Sequence, residues 1–202
     1  YFWMIDDIEL IETPAHLLNI DNETFGGWWI GYQSTGDLGI DFTFNPLNQV
    51  TANPYRFESV VFNNGAADQY NTTMNVEVES SGATIYTGSS YPTTIYTNTN
   101  DTLVTTTNFT PTSTGIHEIT LWASSDSFPT TDIISRSTIV TDTVYGVDFD
   151  WASDGANAGS GYYLGRSCGG QVLGNAFDIY EDDEVTSISF HVNDQSVVGA
   201  TL

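Results

Sequence analysis

Apolar side chains recur at every second position in stretch after stretch of this chain, and no long window repeats them at the three-and-four spacing of a helix. Leu38, Ile40, Phe42 and Phe44 alternate with Gly39, Asp41 and Thr43, while Met74, Val76 and Val78 alternate with Asn75, Glu77 and Glu79. Successive side chains of a strand point to opposite faces, so each run predicts a strand with one buried face and one wet face. The same reading places strands at Phe57 to Asn63, Ala83 to Thr87, Asp101 to Thr107, Gly115 to Ala123 and Ile133 to Thr141. Turn formers separate them at Asn63-Asn64-Gly65, Ser80-Ser81-Gly82, Pro111 to Gly115 and Ser124 to Pro129. Short strands at this spacing specify an all-β chain, with a β-sandwich of about 110 residues at its centre.

A core for such a sandwich is available, because 40% of the 202 residues are hydrophobic and 13% aromatic. The charge is one-sided. Arg56, Arg136 and Arg166 are the only cations beside 26 acids, lysine is absent, and the formal net charge is -23. Such a surface repels polyanions, which excludes nucleic acid as a partner and favours divalent cations or basic partners. A salty environment, calcium loading and solubility outside the cell would each account for it. Cys168 is the single cysteine, so no intrachain disulfide exists and packing must hold the fold. No stretch approaches the roughly 20 apolar residues of a membrane helix, so membrane insertion is not expected.

After Thr141 the pattern resets. Thr143 to Phe149 reads as a strand, Asp150 to Gly170 as a long Gly/Ser/Ala/Asn loop, and Gly174 to Tyr180 and Val185 to Val192 as two more strands around the acidic turn Glu181 to Glu184. The alternation at Tyr1 to Leu10 likewise reads as a strand without a partner, which suggests a window on a longer protein. The expected organisation is a closing strand over 1–12, a linker and lead-in strand over 13–35, the sandwich over 36–142 and the first part of another module over 143–202.

Phe2 to Glu12 resembles the final strand of jelly-roll modules of the MAM or carbohydrate-binding kind, which reads aromatic-x-Ile-Asp-Asp-Val/Ile-x-Leu. Phe57 to Glu79 followed by Gly115 to Asp126 is similar to Ig-like adhesion modules, and Leu173 to Leu202 looks like the start of a second jelly roll. That tandem order is typical of large surface proteins of gliding Gram-negative bacteria that use type IX secretion. The resemblance implies an extracellular or cell-surface location and an Ig-like sandwich between partial jelly rolls. It also implies a structural calcium on the final jelly-roll strand and neighbouring domains of the same chain as partners.

Several groups carry side chains suited to chemistry. Asp6 and Asp7 point to opposite faces of one strand, so at most one serves an inward calcium, which needs six to eight oxygens. Asp148, Asp150 and Asp154 place two carboxylates on one strand face and a third in the following loop, but Ala152 stands where an EF-hand has its third ligand. These five acids are the candidate calcium ligands. Trp28 and the pair Tyr162 and Tyr163, with Tyr86, Tyr91 and Tyr96, were considered as sugar-stacking platforms against packing within or between domains. His16, His117 and His191 lie in different predicted modules without a catalytic motif, and His117, two residues after Gly115, is expected to be buried where Ig-like domains carry a corner tyrosine. Asn22, Asn71, Asn100 and Asn108 head N-glycan sequons, and Thr102 and Thr143 fit the Asp-Ser/Thr-apolar pattern of O-glycosylation in the resembled group.

These observations suggest a non-catalytic extracellular segment of a large adhesin or filament-like protein, acting as spacer and binding module. The alternatives are an accessory glycan-binding region of a secreted hydrolase or protease, and a self-assembling surface-layer component.

Overall fold

The computed structural model describes residues 12–28, 44–146 and 177–188. Within these residues nine strands and one short helix run in the order β1 (Leu18–Thr24), β2 (Phe44–Pro46), α1 (Leu47–Ala52), β3 (Glu58–Asn63), β4 (Gln69–Ser80), β5 (Ala83–Ser89), β6 (Thr93–Ile95), β7 (Asn100–Val104), β8 (Gly115–Ser124) and β9 (Ile134–Thr141). The chain is all-β, as the alternation predicts.

Two sheets form a sandwich. One is β1-β3-β7; the other is β2-β9-β8-β4-β5, with β6 paired to the start of β4. Pairings are antiparallel except β2 with β9, which is parallel. Facing the central β4–β8 pair with the three antiparallel strands β1, β3 and β7 lets two half-apolar sheets cover each other.

The register explains the core. Met74, Val76 and Val78 stand opposite Ala123, Leu121 and Ile119, so all six share one face, and none is more than 1% exposed. Val61, Leu18 and Leu103 cover them from the other sheet. An aromatic column closes one side: Phe25 meets Phe57 edge-on at 5.7 Å, while Tyr55 stacks between Phe57 and Phe109 at 6.3 and 6.0 Å. Such pairs contribute about 0.5–1.5 kcal/mol each beyond their area.

Buried polar groups are tied into this frame. Asn45 donates through Nδ2 to the Tyr55 hydroxyl and to Thr138 Oγ1, both at 3.1 Å, and burial pushes the Tyr55 phenol up to about 12. Asn63 donates to the Ala67 and Ile95 carbonyls and accepts from Gly65 N, which fixes the expected Asn63-Asn64-Gly65 turn. At Ser81-Gly82 both residues have positive φ, 54° and 76°, between the paired Ser80 and Ala83. This is the type I′ geometry whose twist matches an antiparallel hairpin.

Four features depart from the sequence expectation. The lead-in strand expected within 13–35 is β1, but it pairs with β3 from Leu18 opposite Asn63 to Thr24 opposite Glu58 and so belongs to the sandwich sheet. Pro46, lacking an amide hydrogen, ends β2 and opens α1, too short for its periodicity to show. The three-residue β6 was not anticipated either. Finally, the described parts of the expected strands Gly174 to Tyr180 and Val185 to Val192 do not form strands, with Val185 and Ile188 81% and 80% exposed. Of the expected strand Leu38 to Phe44, only Phe44 lies within the described residues.

Candidate functional site

Among the described residues the chain enters β1 at one end of the sandwich and finishes β9 at the other. Preceding β1, the carbonyls of Pro14, Ala15 and Leu17 accept from the amides of Ala66, Ala67 and Asn64 at 2.9, 2.8 and 3.0 Å. This is the end where β4 begins: Gln69 lies opposite Ile95, and Thr73 opposite Ser124. His16 Nδ1 and Ser125 Oγ both contact the Gln69 amide, at 3.0 and 2.7 Å. Gly65 is required here, because a Cβ would stand 2.7 Å from both Ala15 O and Leu17 N. The last strand runs the other way. Val140 is opposite Gly115, and three residues along β8 Glu118 is opposite Glu79, so Thr141 lies beside the Ser81-Gly82 turn.

At that second end the following chain is latched. Gln49 of α1 is fully buried, and its side-chain amide acts as a surrogate peptide group for residues that have no strand partner. Its Oε1 accepts from Tyr180 N and Glu181 N at 2.8 and 3.1 Å, and its Nε2 donates to Glu181 O at 2.8 Å. Tyr145 donates its hydroxyl to Asp183 Oδ2 at 3.0 Å, and its ring meets Phe177 edge-on at 5.5 Å. Burial and the Asp183 carboxylate push the Tyr145 phenol up to about 12, while the Glu184 amide and the Tyr145 hydroxyl hold Asp183 below the usual carboxylate range. The acidic turn Glu181 to Glu184 is thus an anchored joint as well as a solvated loop.

Trp28 belongs to the same joint. It is 7% exposed, donates Nε1 to Asn53 O at 2.7 Å, and has Tyr55 and Tyr180 against its ring at 6.0 and 5.1 Å. These rings hold the indole in packing. Tyr86 is half-buried against Phe57 and Phe109, whereas Tyr91 and Tyr96 are 79% and 62% exposed. Asp6, Asp7, Asp148, Asp150, Asp154, Tyr162, Tyr163, Cys168 and His191 lie outside the described residues. Among the described residues no group of three or more His, Cys, Asp or Glu side chains could hold a metal ion. Thr102, on the outer strand β7, and Thr143, in the turn after β9, are both exposed.

His117 is fully buried, as its position predicts. Its Nδ1 lies 3.0 Å from Gly115 O, which fixes the proton on that nitrogen, and Nε2 has no hydrogen-bond partner among the described residues. Burial pushes its pKa down, so the ring is neutral and structural. Sequence reading missed Gln49, Tyr145 and Asp183, whose roles depend on partners more than 30 residues away.

No family model and no curated protein matches the chain. Among solved structures, the chain is similar to the CARDB domain of the PF1109 protein of Pyrococcus furiosus, crystallised in complex with di-metal ions, at 12% identity and a TM-score of 0.41, over 68% of this chain and 98% of that one. The solution structure of the same domain matches at 13% identity and a TM-score of 0.38, over 65% and 99%. The structural-genomics target SoR45 matches at 14% identity and 0.26, over 63% and 83%.

Proposed function

We propose that this chain is a non-catalytic spacer and binding module of a large protein displayed outside a Gram-negative cell. The supporting observation is the placement of the chain's two crossings: it arrives beside Gly65 to Gln69 and departs beside Ser81-Gly82, at opposite ends of the sandwich, and is hydrogen-bonded at both. A module traversed end to end adds its full length to a string of modules. One whose ends meet on the same side adds little. Latching at both ends passes orientation from one neighbour to the next, because each crossing is fixed by several hydrogen bonds rather than by a flexible linker.

The acid-rich, lysine-free surface supports the extracellular part of this reading, since it keeps a long projection soluble and free of polyanions. The jelly-roll-like stretches Phe2 to Glu12 and Leu173 to Leu202 supply the neighbours, and exposed Thr102 and Thr143 are accessible for O-linked sugar. The test is mass spectrometry of the native protein, combined with protease shaving of intact source cells. The expected result is peptides of this sequence released from the surface, from a protein several times 22.1 kDa. Peptides found only inside lysed cells would overturn the reading.

A further inference from the structure

The outward face of the larger sheet carries a feature that a spacer does not need. Trp122 of β8 stands half-buried at its middle, opposite Asn75 of β4, which is in turn opposite Ser89 of β5. One row lower lie Thr120, Glu77 and Thr87. Beside β5 the chain after β7 is strapped down, with Thr106 N and Oγ1 both donating to Ser89 O at 3.0 Å and Tyr86 Oη donating to Thr107 O at 2.7 Å. The strap, β5, β4 and Trp122 enclose an open groove of about 480 Å³, lined by Asn75, Glu77, Thr87, Thr106, Thr107 and Trp122.

Its polar groups are held in place yet only half used. Asn75 Nδ2 is tied to Ser124 Oγ at 3.2 Å, which leaves Oδ1 for a donor. Glu77 Oε1 accepts from Thr84 at 2.6 Å, which leaves Oε2. Trp122 Nε1 and the Thr87 hydroxyl have no hydrogen-bond partner among the described residues, and no aromatic ring among them stacks on the indole. An indole face with fixed amide, carboxylate and hydroxyl groups around it matches a pyranose ring, which offers apolar C–H patches and a rim of hydroxyls. Anionic ligands are disfavoured, because Glu77 lies in the groove and Glu79 and Glu118 face each other directly across β4 and β8 just beyond it.

We infer that the Trp122 groove on β4, β5 and β8 binds neutral sugar units of a polysaccharide. This names the ligand of the binding function proposed above and rests on that reading. Its loss would leave the spacer and the cell-surface location standing, since those are tested by shaving.

The test is titration of the purified chain with cellohexaose, xylohexaose, mannohexaose, laminarihexaose and, as the anionic counterpart, hexagalacturonate, followed by the tryptophan indole signals in ¹H–¹⁵N spectra. At least one neutral hexaose is expected to shift the Trp122 indole with a Kd of about 1 mM or tighter. Trp122→Ala is expected to weaken that binding at least about tenfold, and Asn75→Ala severalfold, with Tyr91→Ala leaving it unchanged. If Trp122→Ala fails to fold, Asn75→Ala and Thr87→Ala carry the same comparison. No response to any neutral hexaose, equal binding by the folded groove variants, or tighter binding of hexagalacturonate would each overturn the inference.

Discussion

His117 shows how a single buried side chain sets a pH response. With Nδ1 committed to Gly115 O and Nε2 buried without an acceptor, protonation would put a charge where no group solvates it, so the folded pKa lies below the ordinary 6.5. A depressed pKa contributes stability that is present above about pH 6.5 and lost as pH falls toward the folded value, because the unfolded chain takes up the proton first. The urea midpoint is therefore expected to fall between pH 7.5 and pH 5, and less steeply in His117→Phe, which keeps the ring contact with Phe109. Equal slopes in both proteins would show that His117 does not titrate on unfolding. Gly88 makes a second residue-scale case. A Cβ there would collide with the Tyr86 ring, which crosses the inner face of β5 to reach Thr107 O. Gly88→Val is expected to destabilise by about 1–3 kcal/mol, and Tyr86→Phe by about 1 kcal/mol. Denaturation midpoints of both variants check this.

At the scale of elements, β4 and β8 were legible because from Met74 to Val78 and from Ile119 to Ala123 one face of each is apolar, and β5 because the Ser80-Ser81-Gly82 turn announces a hairpin partner for β4. His117 was legible for the same reason: its parity on β8 matched Ile119 and Leu121. β1 was not, since beyond Leu18 and Ile20 its outward and inward positions are both polar. Its place is set by pairing with β3 together with the burial of Leu18 and Ile20 alone. The joint was also hidden, because Gln49 sits in a six-residue helix and its partners lie 131 and 132 positions onward. A period-two pattern at Phe177 to Ile188 signals strand tendency but cannot show that a side-chain amide occupies the backbone instead. Gln49→Leu keeps an apolar fill and removes the side-chain bonds to Tyr180, Glu181 and Asp183. It is expected to raise the exchange rates of the Tyr180 and Glu181 amides at least about tenfold while those of β4 and β8 stay unchanged. Native exchange at Tyr180 in this variant would show that packing of Trp28 on Tyr180 suffices without the amide.

For the whole molecule, the account depends on distance. The described chain crosses from the Gln69 end to the Ser81-Gly82 end along strands that rise about 3.3 Å per residue, which separates the arriving and departing segments by ~40 Å. Both segments are hydrogen-bonded to the sandwich, so that separation is expected to be narrow as well as long. The most direct measurement is a pulsed electron-spin distance between labels at Thr13→Cys and Asp142→Cys, both exposed positions, with Cys168→Ser removing the remaining thiol. A single narrow distribution near ~40 Å is the result expected of a spacer traversed end to end. A broad distribution, or a mean below about 25 Å, would place both crossings on one side or leave them loose, and would contradict the account.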